Sequence, residues 1–256
     1  MNFFLYIIIF ITGAFFGSFF TLAVYRIPKK EDILIKHSYC PNCNKKLGFF
    51  DLFPVLSYIC LGGKCRYCKN KIRPRYLILE LLSGLTFLLL TFAVKIDFLN
   101  INSVINVIFL LIFVSILFII AGIDKEKKNI EKSVLIVGFC IEVLYIIYQY
   151  TLKNFNVYQY VMYLIAFEIS LLILNFKIKI DGDKKYIIQN LYLSLYMLIF
   201  SGIKIYIITL AVTYITILLC EILLKKQENK MPIGFYLCIS NILTIIISNI
   251  ITNYFI

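Results

Sequence analysis

The chain has 256 residues, 61% of them hydrophobic and only 16% charged, with a mean hydropathy of +0.90. A soluble domain runs nearer about 45–50% apolar and about 25% charged, so a water-soluble fold of this length is excluded. The net charge of +12 would suit a nucleic-acid binder, but in a membrane chain it marks cytoplasmic loops rich in Lys and Arg, and no nucleic-acid partner is expected.

Apolar runs near the ~20 residues that a bilayer requires fall at 3–25, 76–94, 103–122, 133–150, 157–176, 186–200, 203–224 and 233–252. They predict an all-α, polytopic membrane protein of about eight transmembrane helices. The first run is preceded by no basic segment and followed by no small-residue cleavage site, so it reads as an uncleaved anchor. The sixth and seventh join through Ser201 and Gly202. Loops 26–75, 124–132, 177–185 and 225–230 alternate with the others and hold 23 of the 26 basic residues. The positive-inside rule makes these four cytoplasmic and puts both termini outside. The expected organisation is a first transmembrane helix at 1–25, a cytoplasmic loop at 26–75 and a seven-helix membrane domain at 76–256.

The loop 26–75 carries Cys40-Pro-Asn-Cys43 and Cys65-Arg-Tyr-Cys68. Two such pairs match a four-thiolate zinc site. A cytosolic loop keeps its thiols reduced, which argues against disulfides. The loop reads as too poor in large apolar residues to build a core, so a structural zinc would supply its folding energy. His37 reads as an exposed loop residue beside a shell already filled by Cys40, Cys43, Cys65 and Cys68. The other four cysteines sit in apolar contexts.

Of the acids, Glu80, Glu142, Glu168 and Glu221 fall inside proposed spans, where an ionisable group is expensive and is usually paired or functional. A transporter or scaffold would use Glu142 and Glu168 as interior ion or proton sites, though the halves show no internal symmetry. Asp124 begins the cytoplasmic loop at the end of the third span, and Asp181-Gly182-Asp183 lies in the loop before the sixth. Two aspartates brought together can share one proton, one acting as base toward water and the other as acid toward a scissile carbonyl.

The segments Gly13-Ala-Phe-Phe-Gly17-Ser18-Phe19, Tyr25-Arg26-Ile27-Pro28, the two cysteine pairs, Pro54-Val-Leu-Ser57-Tyr58 and Arg75-Tyr76-Leu-Ile-Leu-Glu80 to Gly84 resemble, in order and spacing, the opening of type IV prepilin peptidases. That resemblance implies an aspartyl endopeptidase of the bacterial cytoplasmic (inner) membrane. It would cleave the basic leader from prepilin-like or pseudopilin-like precursors, with Asp124 and Asp183 as the catalytic pair. It also implies methylation of the new N-terminus by S-adenosylmethionine, an activity attached to the first cytoplasmic loop. The chain departs from the family pattern at Ile180, where a glycine is usual, at Glu131 in place of proline, and at Thr21 in place of asparagine. A divergent member without peptidase activity is the alternative within the family.

Overall fold

The computed structural model describes residues 2–33, 37–40, 42–153, 160, 162, 163, 165, 184–224 and 231–255. They fall into two compact units, Met1–Ile96 and Asp97–Ile256. Among the described residues the structure is helical, with two isolated antiparallel bridges and no strand.

The first unit is built on α1 (Asn2–Arg26) and α3 (Arg75–Ala93), both long and apolar enough to cross a membrane. Small residues let their backbones close up. A Cβ on Gly17 would lie 2.0 Å from Ser83 Oγ and 2.8 Å from Glu80 Cα, and one on Gly13 would lie 2.9 Å from Gly84 Cα. The Ser83 hydroxyl donates to the Gly13 carbonyl at 2.8 Å, so the contact is also hydrogen-bonded. Between these helices the chain forms the two cysteine turns and a short helix α2 (Leu56–Cys60). Arg26, buried at the end of α1, reaches back to donate to the carbonyls of Asp32 and His37. The apolar residues of 49–61 build no core within this loop, since most of the large ones face outward.

The second unit contains α4 (Ile101–Lys127), α5 (Lys132–Thr151), α6 (Lys184–Leu224) and α7 (Ile233–Ile250). The Asn100 side chain caps α4 by accepting from the Asn102 N–H at 3.0 Å. Lys125 and Lys127 occupy its last turn, where cations suit the helix dipole. The helix therefore runs past residue 122, and Asp124 belongs to its final turns and not to the following loop.

Helix α6 breaks at Gly202, whose φ of 78° and ψ of 163° are not helical. A straight run from Ile187 to Ile217 would cover about 45 Å. Instead, Ile187, Asn190, Leu191 and Ser194 line the same cavity of about 310 Å³ as Leu210, Thr213, Tyr214 and Ile217. The limbs 184–201 and 203–224 therefore run side by side, as the sixth and seventh spans require. The Ser194 and Tyr206 side chains share a hydrogen bond between them. Six helices in all are long and apolar enough to span a membrane among the described residues, with both limbs inside one of them. The fifth span, 157–176, lies almost entirely outside the described residues.

Aromatic stacking ties the unit together. Phe113 of α4 stacks on Phe200 at 4.1 Å and meets Tyr196 at 4.9 Å, and Tyr145 of α5 meets Phe200 at 4.9 Å. The second limb joins α7 through Thr209 and Thr244, whose hydroxyls lie 3.0 Å apart, and through Asn241, which donates to Thr209 at 3.2 Å.

Candidate metal centre and candidate active site

In the first unit each Cys-x-x-Cys turn folds by the same local logic. The Cys40 and Cys65 amides bond the carbonyls of Lys45 and Asn70, at 3.0 and 2.9 Å. Asn44 and Lys69, one residue after the second cysteine of each pair, take left-handed φ of 55° and 59°. Each chain thereby turns sharply around its sulphurs, and single bridges, Tyr39 with Lys46 and Lys64 with Lys71, close the two turns.

The sulphurs of Cys40, Cys43, Cys65 and Cys68 lie within 4.8 Å of one another, and those of Cys40 and Cys68 are 3.9 Å apart. Four thiolates each about 2.3 Å from a zinc ion would stand about 3.8 Å apart. The cluster thus fits a tetrahedral metal. The N–H groups of Cys68 and Tyr67 point at the Cys65 sulphur and pull its thiol down to about 7, which favours the ligand form. His37 is exposed and outside the cluster.

Asp51 ties the two turns together. It accepts from Gly48 N–H at 3.1 Å, from Arg66 Nε at 2.6 Å and from the Tyr67 hydroxyl at 3.3 Å. Burial alone would raise its carboxyl, but Arg66 and the Gly48 amide hold it below the usual carboxylate range.

In the second unit Asp124 is fully buried. Its Oδ2 accepts from the Tyr186 hydroxyl at 3.0 Å and from the Phe235 N–H at 2.9 Å, and the Gly234 N–H also bonds the carboxyl. Gly234 and Phe235 open α7, whose first amides have no partner within the helix, so the carboxylate sits where a helix N-terminus binds an anion. The glycine is needed for this approach: a Cβ there would lie 3.1 Å from Oδ2 and 3.2 Å from Asn190 Oδ1. Gln189 Nε2 donates to the Ile130 carbonyl at 2.7 Å, pinning the start of α5 to α6. The other oxygen, Oδ1, is buried with no hydrogen-bond partner among the described residues.

Asp183, with Asp181, Gly182 and Ile180, lies outside the described residues, as does Glu168. Tyr186, Gly234 and Phe235 have no counterpart in the sequence reading. The Pro232-Ile-Gly234 start of the last span was their one legible sign, because Pro and Gly mark helix entry. Glu80 is buried in α3 and accepts from the Val55 N–H at 2.8 Å. Glu142 is 2% exposed, and neither carboxyl oxygen has a hydrogen-bond partner among the described residues.

A family model for the bacterial peptidase A24 N-terminal domain matches residues 11–94. The chain is 40% identical over 87 residues to a prepilin leader peptidase/N-methyltransferase of Vibrio cholerae, covering 30% of this chain and 34% of that one. It is 30% identical over 126 residues to one of Klebsiella pneumoniae, covering 47% of this chain and 52% of the relative. A third, of Bacillus subtilis, is 30% identical over 131 residues, or 50% of this chain and 49% of its own length. The chain thus spans between about a fifth and a half of the length of the curated relatives it matches. No solved structure matches it.

Proposed function

We infer the activity from one premise: through residues 11–94 this chain belongs to the type IV prepilin peptidase family. The proposal is a membrane aspartyl endopeptidase that removes the basic leader from prepilin-like or pseudopilin-like precursors. Asp124 and Asp183 are its catalytic pair, in a bacterial cytoplasmic membrane with both termini outside.

The observation that carries this reading is Asp124, a buried carboxylate with one oxygen held by Tyr186 and α7 and the other without a hydrogen-bond partner among the described residues. Oδ1 is the oxygen left for a proton or a water. Asp183 precedes Tyr186 by three residues, which is at most ~11 Å of extended chain, and the Tyr186 hydroxyl already touches Asp124. In the reaction one carboxylate takes a proton from water while the oxygen attacks the scissile carbonyl. The other carboxylic acid first protonates that carbonyl oxygen; on collapse the C–N bond breaks and the departing amine takes up a proton. The two groups titrate as a pair, so acid and base roles belong to the dyad and not to either residue.

Sidedness has further support in the second unit. Tyr186 and Gly234 both meet Asp124, which gathers the last turns of α4 and the first turns of α6 and α7 at one end; in sequence these helix ends adjoin loops 124–132, 177–185 and 225–230. These loops are three of the four Lys-rich segments.

Zinc at Cys40, Cys43, Cys65 and Cys68 belongs to the proposal as a structural ion that supplies folding energy to the loop. Methyl transfer from S-adenosylmethionine to the freed amine is included because the relatives are named N-methyltransferases. Methyl label from that donor appearing on the cleaved product tests it.

The deciding experiment is cleavage of a pilin-like precursor with a basic leader by purified protein. Asp124→Asn and Asp183→Asn each abolish cleavage, and Asp181→Asn retains most of it. Undiminished cleavage by both of the first two variants would end the aspartyl mechanism. A second reading, a membrane protein handling protons or ions without peptidase activity, is favoured by Glu142 alone.

A further inference from the structure

Residues 49–59 lie in the loop between the two cysteine turns, yet their surface is not that of a solvated loop. Phe49 is 72% exposed, Phe50 77%, Leu56 55% and Ile59 62%. Phe53 instead turns back onto the membrane helix α1, its ring edge-on to Phe15 at 5.2 Å. Phe15 lies eleven residues before Arg26, about 16 Å along the helix. It stands close to Gly17, which packs against Glu80 and Ser83, beyond the first turn of α3. The segment therefore returns from the cysteine turns to the level of the spans. There it continues the exposed apolar face that α1 presents through Phe15, Phe16 and Phe19.

Its backbone suits such a place. Hydrocarbon tolerates non-helical chain only where the polar groups are satisfied by protein. The amides of Leu52, Ser57 and Ile59 bond the carbonyls of Phe49, Phe53 and Val55 at 3.0–3.1 Å. Pro54 brings no N–H. The Val55 amide, at a φ of 61° that a β-branched residue adopts only when held, is bonded by the Glu80 carboxylate rising from α3. Cations flank the stretch, Lys45 and Lys46 before it and Lys64 after it, and the one carboxylate inside it, Asp51, is neutralised by its ion pair with Arg66 at 2.6 Å. Apolar residues between cations are the pattern of a segment lying in the boundary of an anionic leaflet.

We propose that residues 49–59 are a membrane-inserted wedge whose exposed Phe49, Phe50, Leu56 and Ile59 are covered by lipid acyl chains, pinning the four-cysteine module to the bilayer surface. This stands apart from the peptidase reading, since it needs only a bilayer around α1 and α3.

The chain contains no tryptophan, so Phe50→Trp introduces a single indole reporter. The full-length protein is placed in vesicles of phosphatidylcholine and phosphatidylglycerol, with or without bromine on the acyl chains. Lys46→Trp, on the exposed polar part of the same loop, is the aqueous reference. The Phe50→Trp emission should be blue-shifted, lose most of its intensity to brominated lipid and resist iodide, while Lys46→Trp shows the reverse. Iodide quenching of Phe50→Trp equal to that of Lys46→Trp would place the segment in water. Protection from both quenchers would mean that protein covers it; either result overturns the proposal. Ile59→Trp is the second reporter, and zinc content in each variant certifies that the module is folded.

Discussion

Asp124 owes its position to groups far from it in sequence. Tyr186 and the first amides of α7 hold one oxygen; hydrogen bonds to a charged group are each worth about 1.5–3 kcal/mol. Tyr186→Phe should therefore lower precursor cleavage by roughly tenfold or more, with the protein still folded, as a cleavage time course with circular dichroism would report. Gly234→Ala should also lower cleavage, because its Cβ arrives 3.1 Å from Oδ2 and from Ile130 Cδ1 and the carboxylate must shift by a few tenths of an ångström to make room. Asp124 was legible because a lone acid after an apolar run stands out against it. Tyr186 and Gly234 were not, because their roles exist only once three helix ends converge.

At the scale of elements, the cysteine turns were the most legible part of the chain. Their geometry is local, four or five residues to a turn, and spacing alone specifies it. Replacing Cys65 with Ser should abolish stoichiometric zinc and raise amide exchange throughout 38–72, while α1 and α3 keep their protection; metal analysis and hydrogen exchange on the same sample read both. Asp51 adds a pH-dependent clamp. Its carboxyl is held below the ordinary range, so its stabilisation is fully present above the unfolded pKa of about 4 and is lost as pH falls through the folded value. Asp51→Asn should accordingly loosen 48–52 and 66–67 at neutral pH, and the difference from the native chain should vanish in strong acid. The outward-facing run at 49–59 escaped the sequence reading because a charged, cysteine-bearing loop is taken as polar throughout. The contacts of Phe53 with Phe15 and of Val55 with Glu80 set it against α1 and α3.

For the whole molecule, hydropathy and the alternation of Lys-rich loops were enough to reach the helical spans, and the break at Gly202 divides α6 into the two limbs that the sixth and seventh spans describe. Glu142 is the exception within this apolar frame. It sits ten residues into α5 with neither oxygen partnered among the described residues, so it is a cost unless it has a task. Glu142→Leu should stabilise the fold by about 1–3 kcal/mol of relieved desolvation, read as a higher thermal midpoint, and leave precursor cleavage intact. A loss of cleavage with unchanged folding would give the carboxyl a role in the chemistry. The glycine-lined pairing of α1 with α3 has a consequence for how the molecule is made. The boundary at Ile96 falls just beyond both α3 and the family match at 94, so the partner that α1 packs against through Gly13 and Gly17 is already made before the third span leaves the ribosome. A gene divided between Ile96 and Asp97 would cut through neither unit, and each of its two products would carry one compact unit whole.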